Sequence, residues 1–266
     1  MRSDFAVFIL THGRADNVVT YRMLKRSNYA GKIYFIIDDE DEQGDLYKKN
    51  FGAENVIVFN KQEAYDRADT MDNFNIHSAI IYARNESFRI AKELGLKYFL
   101  MLDDDYREID FRYAEEGKMR AKVMLEFCQG GDFVGGLDGG NFHKGLLRKA
   151  MNSFFCRSET PIEYRGTMNE DVVTYTTESS RGRLFLSVTN TCVIQLPSQS
   201  LNGGMTGTYL DGGTYLKSFY AVMSMPSCVK VQVLSTKHRR IHHRIDWERC
   251  APKILNEKWK KGGSES

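Results

Sequence analysis

Short apolar runs alternate with helical patterns along the first hundred residues. Apolar runs of strand length lie at 5–10, 33–37, 55–59 and 98–102. Helical patterns lie between them, at 15–27, 44–51 and 76–94. This alternation is typical of βαβ units, which build a largely parallel sheet with helices on its faces. The first half of the chain is therefore predicted to have an α/β fold.

The pattern changes beyond residue 105, where we expect an α+β arrangement. Residues 118–129 are predicted to be helical, and three segments are predicted to be extended, at 133–136, 147–156 and 184–196. The segment 198–213 contains five glycines and has no regular period. Such a segment suits a mobile loop over a site, and it equally suits an ordinary long connection.

Composition places the chain among cytosolic globular proteins. Its 266 residues, 42% of them hydrophobic, suffice for one large or two small domains. The five cysteines are widely spaced and form no CxxC pair, which favours a reducing compartment. No run of ~18 apolar residues occurs, so we expect a soluble, cytoplasmic protein without a membrane span.

Charge is unevenly distributed along the chain. The formal net charge is only +2, but ten Lys and Arg residues stand against three Asp and Glu residues between Lys230 and Lys261. The tail is therefore strongly basic, while the remainder of the chain is slightly acidic. A basic segment of this kind is typical of a phosphate-binding surface, although a solvated tail has the same composition.

The apolar run at 98–102 ends in three adjacent carboxylates, Asp103, Asp104 and Asp105. Adjacent acids raise one another's pKa values and are tolerated mainly where a divalent cation or hydrogen-bond donors compensate them. In open α/β sheets the ligand lies outside the carboxyl ends of the strands. This position predicts a ligand site; the plainer interpretation is a solvated acidic turn.

Five motifs follow one another in the order seen in glycosyltransferases of the GT-A fold, which the chain resembles over roughly residues 5–175. They are Thr11-His12-Gly13-Arg14, Asp38-Asp39, Ala83-Arg84-Asn85, Asp103-Asp104-Asp105 and Asn169-Glu170-Asp171. The resemblance implies a Rossmann-like mixed sheet flanked by helices. It also implies a nucleotide-sugar-binding half at 1–110 and an acceptor-binding α+β half at 111–266, within one continuous domain.

The same resemblance implies which residues hold the donor and a metal ion. The donor-binding residues are Thr11, His12, Gly13, Arg14, Asp38 or Asp39, Arg84 and Asp103. Asp105 is implied to bind Mg²⁺ or Mn²⁺, while Asp103 contacts the ribose or reaches the metal through water. Asp104 is implied to lie near the transferred sugar, as a catalytic candidate. Oxygen ligands at a strand end suit both cations.

The resemblance also implies the group that accepts the proton of the acceptor hydroxyl. In GT-A enzymes that invert the anomeric centre, this group is the Asp of a triplet such as Asn169-Glu170-Asp171. Asp171 is therefore the candidate base, and Glu170 the candidate for holding acceptor or sugar hydroxyls. A retaining enzyme needs no such base, and both acids equally suit a simple helix start.

Two functions are open for the basic tail. A late histidine, His238, His242 or His243, is a candidate third metal ligand. Alternatively, Arg239, Arg240 and Arg244 bind nucleic-acid phosphates. Candidate groups for stacking on bases are Tyr220, Trp247 and Trp259.

The opening loop and the histidine-rich tail are similar to those of phage and bacterial glycosyltransferases associated with TET/JBP-type dioxygenases. Those enzymes are thought to glycosylate 5-hydroxymethylpyrimidines in DNA, so the expected donor is a UDP-sugar and the expected acceptor is 5-hydroxymethylcytosine in DNA. The oligomeric state is left open.

Three alternatives to this function remain. They are a glycosyltransferase acting on polysaccharide or protein, a nucleotidyltransferase, and a nucleic-acid-binding module without enzymatic activity. A nucleotidyltransferase normally carries a Gly-rich first loop with a Lys, which this chain lacks. A binding module leaves the clustered carboxylates unexplained.

Overall fold

A computed structural model describes residues 2–115, 118–123, 153–183, 185, 191–195, 216–234 and 240–250. The elements of the first half are β1 (Phe5–Leu10), α1 (Val19–Arg26), β2 (Ile33–Asp38), α2 (Gly44–Phe51), a 3₁₀ turn (Ala53–Asn55), β3 (Val56–Phe59), α3 (Lys61–Arg67), α4 (Ile81–Glu93) and β4 (Tyr98–Asp103). The four predicted strands and three predicted helices are confirmed. The short helix α3 was not predicted.

Two of the predicted helices begin later than their apolar patterns indicate. The segment ahead of α1 forms a turn instead, in which the Asn17 amide donates to the Arg14 carbonyl at 2.8 Å. Ahead of α4, the chain forms turns within residues 76–80, and the helix begins only at Ile81. The apolar residues near these helix starts still pack inward, as buried Ala15 and Val18 demonstrate.

The central sheet has five strands in the order β3-β2-β1-β4-β7, where β7 is Phe154–Arg157. Strands β1 to β4 are mutually parallel, and β7 joins β4 antiparallel. Helices flank the sheet, so the fold is a mixed α/β fold compatible with the GT-A architecture. Because Leu10 pairs with Asp103, the ends of β1 and β4 lie at the same edge of the sheet.

The sheet is buried on both faces, which explains why its strands are continuous apolar runs. On one face Phe8 stacks on Phe99, which makes an edge contact with Phe88 of α4. On the other face Ile9 and Leu102 belong to a cluster with residues of α1. Each such large side chain contributes ~1.5–3 kcal/mol on full burial, so this core holds the strand ends in place.

The second half contains a separate antiparallel sheet, helices and a two-stranded ribbon, which confirms the α+β expectation. Its remaining elements are β5 (Tyr106–Glu115), β6 (Lys118–Val123), α5 (Glu170–Ser180), β8 (Thr191–Gln195), α6 (Leu216–Ser224), β9 (Val229–Leu234), β10 (Arg240–Ile245) and α7 (Trp247–Cys250). The sheet has the order β6-β5-β8, and β9 pairs with β10. Whether 110/111 divides two functional halves stays a prediction.

The predicted helix at 118–129 is wrong over 118–123, where the chain forms β6 and pairs antiparallel with β5. Lys, Met, Arg and Ala all favour helices, but charged and apolar residues alternate along this segment, the period of a strand. The segments 133–136 and 198–213, and residues 147–152, lie outside the described residues. The predicted extended segments at 147–156 and 184–196 are confirmed where β7 and β8 fall within them.

Candidate active site

The first loop is held against the end of β4 by Asp104. The Thr11 hydroxyl donates to Asp104 Oδ2 at 2.8 Å, and Arg14 Nη1 donates to Oδ1 at 2.6 Å. The Tyr47 hydroxyl lies 2.9 Å from Thr11 Oγ1 and accepts from the Arg14 amide at 2.9 Å. Burial raises the pKa of Asp104, although Arg14 and Thr11 favour its charged form. Both Asp104 oxygens therefore bind groups of the protein.

Next to this contact, His12 lies between two buried carboxylates. Its Nδ1 is 2.8 Å from Asp38 Oδ2 and 3.8 Å from Asp41 Oδ2, which also accepts from the Gly13 amide. Lys61 Nζ donates to Asp38 Oδ1 at 3.2 Å. The hydrogen bond to Asp38 raises the pKa of His12. The pKa of Asp38 is lowered, because the effects of His12 and Lys61 together outweigh burial, which acts to raise it. The half-exposed imidazole therefore carries positive charge more readily than a free histidine does.

Asp39 contacts the start of α3. Its Oδ2 accepts from Asn60 Nδ2 at 2.8 Å, and its Oδ1 accepts from the Lys61 amide at 2.9 Å. Asn60 is itself the N-cap of α3 and accepts from the Glu63 amide. Of the two alternatives for a donor contact, Asp39 thus stabilises a helix start, whereas Asp38 lies beside the first loop.

A buried guanidinium connects the acids of β4 with those of α5. Arg84 is only 1% exposed; its Nη2 donates to Asp103 Oδ1 at 2.9 Å, and its Nε lies 3.5 Å from Glu170 Oε1. The rings of Phe154 and Tyr164 flank it, with centroids 6.0 Å and 5.5 Å away. Burial disfavours the charged form, but the two carboxylates outweigh it and raise the pKa of Arg84. Two of the predicted motifs therefore meet at one cation.

The predicted helix start at Glu170 and Asp171 is confirmed. Both acids occupy the first turn of α5, and the preceding Asn169 has a left-handed backbone with φ of 57°. Asp171 Oδ1 accepts from the Val172 amide at 2.8 Å. Burial raises the pKa of Glu170 to about 7, against the opposing effect of Arg84. The protonated form of Glu170 is thus more favoured than that of an exposed glutamate.

Asp105 lies beside β8, where Gln195 Nε2 donates to both of its oxygens, at 3.1 Å and 3.0 Å. Burial, followed by the negative charge of Asp103, raises the pKa of Asp105 to about 6. A neutral amide compensates a carboxylate only partly, so this position favours a nearby cation. Gln195 was not predicted as a site residue.

The acids at the end of β4 fit a cation that the substrate helps to bind. In the described part of the chain, no group of three or more His, Cys, Asp and Glu side chains is arranged to hold a metal ion. Mg²⁺ is commonly bound by one or two carboxylates together with substrate phosphates and water. Asp104 is engaged by Thr11 and Arg14, and Asp103 by Arg84. Asp105 instead accepts from the neutral amide of Gln195, so Asp105 is the candidate ligand whose described hydrogen-bond partner carries no charge.

The β9-β10 ribbon brings histidine to the start of α5. His243 is buried, and its Nδ1 lies 3.3 Å from Asn169 Nδ2; the ring of His242 is centred 4.2 Å from that of His243. Arg244 is exposed and lies opposite Lys230, which is also exposed. His238, Arg239 and the side chain of Arg240 lie outside the described residues.

Three contacts of the site were not foreseen from the sequence. They involve Tyr47, Lys61 and Asp41; Tyr47 falls in the helical pattern at 44–51 and Lys61 just after the apolar run at 55–59, and no site contact was predicted for either. Their roles depend on contacts with Thr11 and Asp38, which are distant in sequence. A signal was available only for Asp41, which belongs to the acidic run after β2.

The sequence model of the TET-Associated Glycosyltransferase family matches residues 5–129. The matched segment contains β1 to β4, the first loop and all three acids at the end of β4. No curated protein matches the chain significantly. Within the described ranges, no helix combines the length and apolar character required to cross a membrane.

Proposed function

We propose that this chain, a glycosyltransferase whose residues 5–129 match the TET-Associated Glycosyltransferase family model, transfers a sugar from a UDP-sugar to 5-hydroxymethylcytosine in DNA. The observation that carries the proposal is the contact of Arg84 with both Asp103 and Glu170. This contact brings two groups of acids together. The acids at the end of β4 suit a cation that binds the donor diphosphate, and the acids of α5 suit an acceptor hydroxyl. We place the reaction in the cytoplasm, where Cys156, Cys228 and Cys250 stay free thiols.

In this proposal, Asp105 and Asp103 would hold Mg²⁺ or Mn²⁺, which would supply positive charge to neutralise the leaving diphosphate. The His12 imidazole, whose pKa is raised, presents positive charge to the donor, and Arg14 fixes the first loop through Asp104. The Asp38 carboxylate holds the His12 ring in place through its hydrogen bond to Nδ1.

The acceptor hydroxyl loses its proton as the new glycosidic bond forms. We propose that Asp171 accepts this proton. It lies in the first turn of α5, where the helix dipole favours the ionised carboxylate that a base requires. Glu170, held beside Arg84, orients hydroxyl groups of the acceptor or the sugar. This role of Asp171 applies to a reaction that inverts the anomeric centre. In a reaction that retains the configuration, Asp171 is not needed as a base.

The proposed acceptor is DNA because the basic tail contains Arg239, Arg240 and Arg244, and the ribbon lies against α5 through His243 and Asn169. Incubating the protein with a panel of UDP-sugars and 5-hydroxymethylcytosine DNA tests the proposal directly. Nucleoside mass spectrometry then detects the glycosylated base. Transfer to a polysaccharide or protein acceptor, with none to DNA, would contradict the acceptor assignment.

The metal assignment predicts that Asp105→Asn weakens UDP binding only when Mg²⁺ or Mn²⁺ is present. Loss of one anionic ligand is expected to reduce the affinity roughly tenfold, or ~1.4 kcal/mol. Isothermal titration with UDP, with Mn²⁺ or with chelator, measures the difference. Asp45→Asn, which removes a carboxylate that is 99% exposed, is the matched control. Equal UDP affinity of wild type with Mn²⁺ and with chelator would exclude the metal role.

The DNA assignment predicts a change in the salt dependence of binding. Each phosphate contact contributes about −0.9 to the slope of log affinity against log salt for duplex DNA. Replacing Arg239, Arg240 and Arg244 with Ala is expected to flatten this slope by roughly two to three units. Donor hydrolysis without acceptor should stay nearly unchanged. Loss of UDP binding with an unchanged DNA slope would assign the tail to the donor site.

A further inference from the structure

The segment between α3 and α4, residues 68–80, borders the chain that leads into α5. We call it the aromatic loop. The Gly166 amide donates to the Asp69 carbonyl at 2.9 Å, and the Thr167 amide donates to the Thr70 carbonyl at 3.3 Å. Glu170 follows shortly after these contacts. The loop therefore lies next to the acids proposed to meet the acceptor.

Several side chains fix the conformation of the aromatic loop. Asp72 Oδ2 accepts from Thr167 Oγ1 at 2.5 Å and from the Tyr220 hydroxyl, while its Oδ1 accepts from the Phe74 amide at 2.9 Å. The Tyr65 hydroxyl donates to Asn75 Oδ1 at 3.0 Å. Tyr220, a candidate for stacking on bases, is instead buried and holds this loop.

The backbone of the loop is left-handed on both sides of Phe74. Met71 and Asn75 have φ values of 59° and 53°, in the left-handed region. Such conformations are uncommon, above all for a long side chain such as Met, and persist where the surroundings enforce them. The loop is therefore preorganised.

This preorganised loop exposes a large apolar ring. Phe74 is 59% exposed, although the loop around it is tied to the segment that precedes α5, to α6 and to α3. Close to it in the chain, the rings of Tyr65 and His77 stack in parallel, 4.3 Å apart with an interplanar angle of 15°. A rigid, exposed aromatic group loses little conformational entropy on binding, which favours contact with a flat partner.

We propose that the aromatic loop is part of the acceptor-binding surface and that Phe74 stacks on a nucleobase of the DNA beside the modified cytosine. Aromatic stacking suits DNA of any sequence, because every base has a π-face. Apolar side chains also enter base steps as wedges, and enzymes that modify bases commonly turn the target out of the stack. This inference rests on the proposed function, since it requires a nucleic-acid acceptor.

The test compares Phe74→Ala and Phe74→Trp with the wild type. Because removing a stacked aromatic costs about 5- to 150-fold in affinity, Phe74→Ala is expected to raise the KM for 5-hydroxymethylcytosine DNA by that factor. UDP binding should be unchanged, since the donor residues lie in the first loop and at the end of β4. Phe74→Trp should retain a KM near that of the wild type.

Phe155→Ala is the matched control, because Phe155 is similarly exposed, at 51%, on the strand β7. A second measurement uses DNA with 2-aminopurine next to the modified cytosine. The wild type should change its fluorescence on binding, and Phe74→Ala should largely lose that change. If the wild type transfers sugar to DNA and Phe74→Ala has a normal KM and a normal fluorescence change, the stacking role of Phe74 is overturned and the proposed acceptor is not. Absence of any wild-type transfer to DNA, with transfer to a glycan, would overturn the proposed acceptor and the stacking partner together.

Discussion

Asp171→Asn is expected to lower sugar transfer by roughly 10²-fold or more while leaving donor binding intact, because general-base catalysis has that magnitude. Asparagine has nearly the same shape, and its side-chain oxygen can still accept from the Val172 amide. The substitution therefore removes the charge and basicity of the side chain while keeping the helix start. Single-turnover transfer and UDP titration measure the two effects separately.

Two variants accompany this measurement. Glu170→Gln tests the neighbouring acid, which should affect the KM for the acceptor more strongly than the rate of transfer if it only orients hydroxyl groups. Asp45→Asn changes an acid in the first turn of α2 whose side chain is 99% exposed, and it should behave as wild type. Near-normal transfer by Asp171→Asn would show that Asp171 is only a helix-start residue. A large rate loss in Glu170→Gln instead would move the base to Glu170, whose pKa of about 7 suits that function.

The parallel core was predictable because its strands are buried on both faces and therefore form continuous apolar runs. Every residue of β1 after Phe5 is buried, and the predicted bounds of this strand are those observed. The carboxylates could be placed in advance for the same reason, since parallel neighbours end at one edge of the sheet. The wrong helix at 118–129 illustrates the opposite case. Strand β6 exists because it pairs with β5, so its structure depends on a partner and not on local preference.

The environment of Arg84 could not be predicted from the sequence. Arginine is usually exposed, so the sequence favoured an accessible side chain that binds the donor over a buried one. Its burial follows from three segments that converge around it: α4, the end of β4 and the start of α5. The same limit applies to the aromatic loop, because the partners of Asp72 are Thr167 and Tyr220, both distant in sequence.

The buried ion pairs of Arg84 predict the largest effect on stability. Arg84→Met retains much of the side-chain volume but leaves Asp103 and Glu170 without their shared cation. Breaking a buried pair by removing one partner costs ~3–5 kcal/mol, because the remaining charge stays in a poorly solvated position. Urea denaturation should report a decrease of that size in the free energy of unfolding. Arg157→Met is the matched control and should change stability little, because the Arg157–Glu159 pair is exposed.

A double variant and a pH series identify the origin of this loss. Arg84→Met with Glu170→Gln should be more stable than Arg84→Met alone, since a neutral amide replaces the uncompensated acid. A carboxyl whose pKa is raised by folding favours the folded state at low pH, and this contribution is lost as pH rises through the folded-state pKa. The pKa of Glu170 already rises from 4.5 to about 7 with Arg84 present, and removing the cation raises it further. The Arg84→Met defect should therefore be smaller near pH 5 than near pH 8. A defect independent of pH and unchanged by Glu170→Gln would mean that Arg84 contributes packing alone and does not connect the two halves of the site electrostatically.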